Sequence, residues 1–215
     1  MREHVPQEAR IHYVITDGGK APNVVPNFAE VYYYARHNKR DVVIDIFDRM
    51  VKAAEGAALG TGTTMDYEMI GGTHELLPNL VLQKIMHDNL SEIGGITYSD
   101  EEKVFADKIS LSLGYKELDM NRAENVQPYK EEARAYGSTD VGDVSYTVPT
   151  VGMGAATWVP GTPAHSWQAV AAGGTSIGTK GMMVAAKTLT LTAMDLFKNP
   201  KTVEDAMAEL EYRRG

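Results

Sequence analysis

The sequence predicts a mixed α/β fold, with an α+β portion over residues 1–77 and an α/β portion over 78–215. Three observations carry that expectation. Residues 10–70 read strand, strand, helix, strand, the later part of a split βαβ sandwich. Pro78 then marks a boundary, because proline lacks the N–H that would continue a helix or ladder. Beyond it, long helical patterns accompany an apolar run at 147–158, interrupted by Gly152 and Gly154, that reads as a buried strand.

Taken in order, residues 10–16 (Arg-Ile-His-Tyr-Val-Ile-Thr) are β-branched and aromatic, the composition of a strand. Asp17 to Asn23 is a loop by its Gly, Pro and Asn content, and Phe28 to Arg36 returns as a second, antiparallel strand. Val42, Val43, Ile46, Met50, Val51, Ala54 and Ala58 form a helical stripe that predicts a helix over 41–59. Asp41 serves as its N-cap or first-turn acid, and Gly60 and Gly62 end it. Residues 63–70 alternate as a third strand. Asn79 caps a helix running to about 93, which Gly94-Gly95 terminates. Ser99 and Glu102 have capping-box spacing and open a helix through 113. Residues 115–137 show no clear period and read as a long loop. Helices are expected over 177–197, packed on a sheet, and over 202–213, with Asn199-Pro200 dividing them. With so few strands, the second portion is incomplete as a sheet domain.

Composition narrows the function. Of the 215 residues, 43% are hydrophobic and 23% charged, ordinary for one or two globular domains. A net charge of −8 excludes a general nucleic-acid or anionic-membrane surface, which needs a basic face. No apolar run approaches the ~20 residues of a membrane span. There is no apolar leader either, so a cytoplasmic location is expected. The absence of cysteine excludes thiolate chemistry and leaves only histidine and carboxylates for a metal site.

Val159-Pro160-Gly161-Thr162-Pro163-Ala164-His165-Ser166-Trp167 is a stiff loop presenting one imidazole, with Trp167 placed to anchor it. Local evidence leaves open a metal ligand, an acid–base group or a turn histidine bonded to a carbonyl. Around Gly142, Asp140 and Asp143 stand three apart beside Thr139, a pattern shared by acidic sites and plain turns. Asn23 reads locally as a turn residue and Arg36 as a solvated strand end. The other histidines (His4, His12, His37, His74, His87) lack paired spacing and read as surface or strand residues. Gly173-Gly174 is either an anion cradle or a tight packing site.

Five stretches, in order, resemble the M20 family of metal-dependent amidohydrolases, within it the aminobenzoyl-glutamate utilization subgroup. They are Gly18 to Pro26, Ala29 to Arg36, Ser138 to Ser145, Gly161 to Gln168 and Thr175 to Met182. The resemblance implies a partial ferredoxin-like β-β-α-β lid and dimerisation domain at 1–77. It further implies the C-terminal part of a zinc-peptidase-like catalytic domain at 78–215. It assigns His165 to a divalent metal (zinc or manganese), Asn23 to an oxyanion and Arg36 to a substrate carboxylate. Gly161 and Thr162 become substrate contacts, and Thr139, Asp140 and Asp143 a layer behind the metal. The substrate class is an N-acyl or aminobenzoyl amino acid, and the partner is a second copy of the chain. The family's N-terminal half, with most metal ligands and the general base, is not in this sequence, so the resemblance implies a chain inactive alone. A non-catalytic dimerising or small-molecule-binding module is the alternative.

Overall fold

The strand expected near the start is β1 (Arg10–Asp17), and it pairs antiparallel with β2 (Glu30–Arg36) in a computed structural model that describes residues 1–131 and 137–215. The ladder sets Arg10 opposite Arg36 at one end and Asp17 opposite Glu30 at the other. Between the strands, Asp17 accepts from the Gly19 amide at 3.1 Å and the Ala21 carbonyl accepts from Val24 at 3.2 Å, the local bonds that Asp- and Pro-containing loops favour. The helix α1 (Arg40–Thr61) follows and ends on Gly62, whose φ of 68° is the left-handed cap glycine supplies without strain. Asp41 lies in its first turn and does not cap it. Instead, the Glu75 carboxylate accepts from the Arg40 amide at 3.0 Å.

These elements belong to one unit, Met1–Leu76 with Thr139–Asp143, and the rest form a second, Leu77–Ser138 with Val144–Gly215. Residues 132–136, part of the loop expected at 115–137, lie outside the described residues. A short helix, α5 (Val141–Ser145), carries the chain from the first unit to the second.

In the second unit the local capping signals are realised. Asn79 accepts from Leu82 at 3.1 Å and starts α2 (Leu80–Ile93). Ser99 and Glu102 form a reciprocal capping box on α3 (Asp100–Ser112). After the one-turn α4 (Asn121–Glu124) come α6 (Trp167–Gly173), α7 (Ser176–Lys198) and α8 (Pro200–Arg214), the last with proline in its first turn. Helix α7 packs against α2, α6 and α8. The core gathers Ile96, Tyr98, Ala106, Ile109, Ala172 and Ile177. One long-range cap was not foreseen. Glu209 of α8 accepts from the Leu80 and Val81 amides at 3.0 and 2.9 Å, satisfying the start of α2. Burial alone would raise the Glu209 carboxyl, but those amides and the Arg213 guanidinium together hold it below the usual range.

The mixed helix-and-strand class holds, but two expected strands are absent. Residues 63–70 and 147–158 have no ladder partner among the described residues, whose one sheet is β1–β2. Alternation fixes which side chains share a face, whereas a strand exists only where a neighbour accepts its backbone bonds. Tyr67 instead sets its ring edge-on to Phe47 of α1, centroids 5.7 Å apart. The second segment serves helix packing, since a Cβ on Gly181 would stand 2.4 Å from the Ala156 carbonyl oxygen.

A buried carboxylate joins two helix starts. Glu102, 8% exposed, accepts from the Ser99 amide at 2.7 Å, the Ser176 hydroxyl at 2.6 Å and the Lys180 ammonium at 2.6 Å. The Lys180 and Ser176 bonds, outweighing burial, lower its carboxyl from 4.5 to about 2. A depressed carboxylate stabilises the fold fully above its unfolded pKa, and that stability drains as the pH falls from 4.5 towards 2. Thermal melts of wild type should therefore lose on the order of 3 kcal/mol across that window. Glu102→Ala should melt lower at neutral pH and show a flatter acid limb.

Candidate functional site

The residues singled out from sequence divide between the two units. Asn23, Arg36, Thr139, Asp140 and Asp143 belong to the first, and Gly161, Thr162 and His165 to the second. Within the first, the hairpin does not bring Asn23 and Arg36 together at one end. Asn23 is in the loop beyond the Asp17/Glu30 end, Arg36 closes the opposite end, and the seven-residue ladder between spans roughly 20 Å. Both are exposed, and the Arg36 guanidinium lies 5.3 Å from the centre of the Tyr34 ring.

The acidic segment is tied down by His74, which reads from the sequence as a surface or strand residue. Asp143 accepts from the His74 amide at 2.9 Å and lies 2.6 Å from its Nδ1. The His74 amide and imidazole, ahead of a more distant Arg40, hold the Asp143 carboxyl below its ordinary value. Gly142 fits there because it has no side chain, since a Cβ would meet the His74 carbonyl oxygen at 2.0 Å. Thr139 Oγ1 accepts from the Val141 amide at 3.2 Å, and the Asp140 carbonyl accepts from Asp143 at 3.1 Å, so both start α5. Histidine and aspartate 69 positions apart carry no local signal of their pairing.

The His165 loop is built from two turns. Val159-Pro160-Gly161-Thr162 has proline then a glycine at φ 85°, and the Thr162 amide donates to the Val159 carbonyl at 3.1 Å, the signature of a type II turn. Gly161 is doubly required, because a Cβ would also stand 2.8 Å from the Tyr115 ring. Val159 is buried in the core and anchors the turn. Trp167 does not anchor it and is 64% exposed. Ser166 accepts from the Ala169 amide at 3.2 Å and donates to the Pro163 carbonyl at 2.7 Å, so it caps α6. His165 sits between these fixed points at φ 60°, the one non-glycine residue with positive φ among the described residues. Such a backbone costs about 1–3 kcal/mol and persists where its surroundings impose it, a pattern concentrated at functional sites.

Gly173-Gly174 resolves to packing. A Cβ on Gly178 of α7 would meet the Gly173 carbonyl oxygen at 2.2 Å. Among the described residues no three His, Asp or Glu side chains gather to hold a metal ion. A catalytic zinc takes about three protein ligands, so the lone exposed His165 does not by itself fit a resident metal. No helix among the described residues is long and apolar enough to cross a membrane.

Comparison with known proteins bears on the family resemblance. The chain is 36% identical over 234 aligned residues to a subunit of the p-aminobenzoyl-glutamate hydrolase of Escherichia coli (strain K12), across 97% of this chain and 49% of the relative. That similarity supports the M20 reading of the sequence. It is also 26% identical to the Xaa-Arg dipeptidases of Mus musculus and Homo sapiens, across 99% of its length and 43% and 42% of theirs. The chain thus spans about half the length of the curated proteins it matches. No protein-family model matches it. By name, the relatives are a subunit of a p-aminobenzoyl-glutamate hydrolase and two dipeptidases.

Proposed function

We propose that this chain is part of a cytoplasmic, metal-dependent amidohydrolase that cleaves an N-acyl or aminobenzoyl amino acid such as aminobenzoyl-glutamate. The observation that carries the reading is the 36% identity, along 97% of the chain, to part of a hydrolase named for that substrate. In this reading residues 1–77 are lid and 78–215 catalytic domain. Arg36 grips the substrate carboxylate through its planar fork, and the Asn23 amide donates to the scissile carbonyl oxygen as charge gathers there. Gly161 and Thr162 border the substrate, while Thr139, Asp140 and Asp143 support the site from behind. His165 is one imidazole of a zinc or manganese set. The other ligands and the general base belong to the half of the relatives' length that this chain does not span. The β1–β2 hairpin has outer edges without ladder partners among the described residues, and pairing such edges is a route to the homodimer.

Losing a charge-assisted bidentate contact costs about 1.5–3 kcal/mol, so Arg36→Gln should raise KM for aminobenzoyl-glutamate roughly 10- to 100-fold. The chemical step should change little. Steady-state assays on the active protein check this, and an unchanged KM removes Arg36 from the carboxylate. The alternative, a non-catalytic binding module, draws on the missing three-ligand cluster among the described residues and predicts ligand binding without turnover.

A further inference from the structure

We propose that Arg10 and Arg36 together form a two-guanidinium site for the paired carboxylates of a dicarboxylic amino acid, one carboxylate to each fork. The inference rests on the reading of Arg36 as a carboxylate contact and adds Arg10 as the residue that selects a second acid.

Strand register carries the argument. Directly opposed residues point to the same side of a sheet, so the pairs Arg10/Arg36, His12/Tyr34 and Val14/Tyr32 share one face. The opposite face holds Ile11, Tyr13, Ile15, Val31, Tyr33 and Ala35 and is mostly aliphatic. At this end of the ladder both guanidinium groups therefore lie on one side, and both arginines are exposed there.

Like charges placed directly opposite destabilise an antiparallel pair. A sheet with no use for an anion gains by setting an acid across from Arg36. This one sets a second arginine there, and among the described residues no carboxylate meets either guanidinium. Both forks are nonetheless held in place. Arg10 Nη1 donates to the Gln7 and Ala9 carbonyls, each at 2.9 Å, which leaves its Nε and Nη2 protons for a ligand. Arg36 lies over the Tyr34 ring at 5.3 Å. Tyr34 and Tyr32 are in ring contact, centroids 5.2 Å apart with hydroxyls 3.2 Å apart, an aromatic surface beside the charge. Two oriented forks next to aromatic rings match an aroyl group joined to a dicarboxylate better than one joined to a single acid.

The test compares N-benzoylglutamate with N-benzoylglycine, the same aroyl amide with two carboxylates or one, by calorimetric titration of the chain. Wild type should bind the diacid at least tenfold more tightly. Arg10→Gln should bring the diacid down to the affinity of the monoacid and leave the monoacid unchanged, whereas Arg36→Gln should weaken both. Ligand-free Arg10→Gln gives up the bonds to the Gln7 and Ala9 carbonyls but sheds the repulsion of Arg36, so it should melt close to wild type; a large melting loss marks Arg10 as structural and overturns the site. Arg10→Lys, which keeps the charge without the fork, should retain part of the diacid preference. If Arg36→Gln weakens both ligands while Arg10→Gln changes neither, the paired site falls and the carboxylate role of Arg36 stands. If neither variant changes binding, or neither ligand binds, both fall.

Discussion

Gly178→Ala should unfold the second unit at a markedly lower temperature than wild type. Alanine is the better helix former by about 1 kcal/mol, so propensity alone favours the change. Packing opposes it. The new Cβ would lie 2.2 Å from the Gly173 carbonyl oxygen and 2.8 Å from its carbon, backbone atoms that no rotamer change can move. Separating α7 from the end of α6 disturbs the packing around Ala172 and Ile177, both wholly buried. Overpacking costs of 1–3 kcal/mol are typical where side chains can yield, and here none can, so a net loss of about 3 kcal/mol is expected. In a chain of this size that corresponds to roughly 6–12 °C in Tm. Gly152→Ala is the matched control: nothing lies within 4 Å of its Cβ, and the change should stay within about 0.5 kcal/mol. Paired thermal melts of the two variants separate the steric account from a general sensitivity to glycine replacement.

His165→Gly should move stability and activity in opposite directions. The imidazole is exposed, and its backbone occupies a region that glycine enters freely. Removing the side chain therefore relieves strain and should raise stability by up to about 1 kcal/mol. If the imidazole is the metal ligand proposed, turnover by the active protein should fall by at least ~100-fold, the upper range for merely disturbing a ligand's supporting contacts. A turn histidine with no function would show the stabilisation without the loss. This opposition, measured by melting and by turnover on the same variant, separates a functional imidazole from a turn histidine, readings that the loop sequence left open.

What was legible in the sequence was what is decided locally. Asn79, the Ser99/Glu102 box and Gly62 mark helix ends because a cap and the groups it satisfies lie within a few residues. The Val159–Thr162 turn was readable as a stiff loop for the same reason. Helix α6 was missed because its seven residues are too short for a periodic stripe, although Ser166 stood at its start as a possible cap. The segments 63–70 and 147–158 have strand-like patterns, but pattern cannot supply a ladder partner. Contacts between distant positions left no trace: His74 with Asp143, Glu209 with Leu80 and Val81, and the His74 carbonyl that forbids a Cβ at Gly142. Of the candidate site, the order of the motifs was visible. The separation of Asn23 from Arg36 along the hairpin, and the arginine facing Arg36, follow from register, which only pairing fixes.

The central claim, that this chain serves in hydrolysing an aminobenzoyl or N-acyl amino acid, is tested most directly by an assay on the protein isolated at its cellular length. Incubation with p-aminobenzoyl-glutamate, following free p-aminobenzoate, should show turnover that His165→Ala removes. Binding without release, from this substrate and from simpler N-acyl amino acids alike, would contradict the account and leave a binding module in its place.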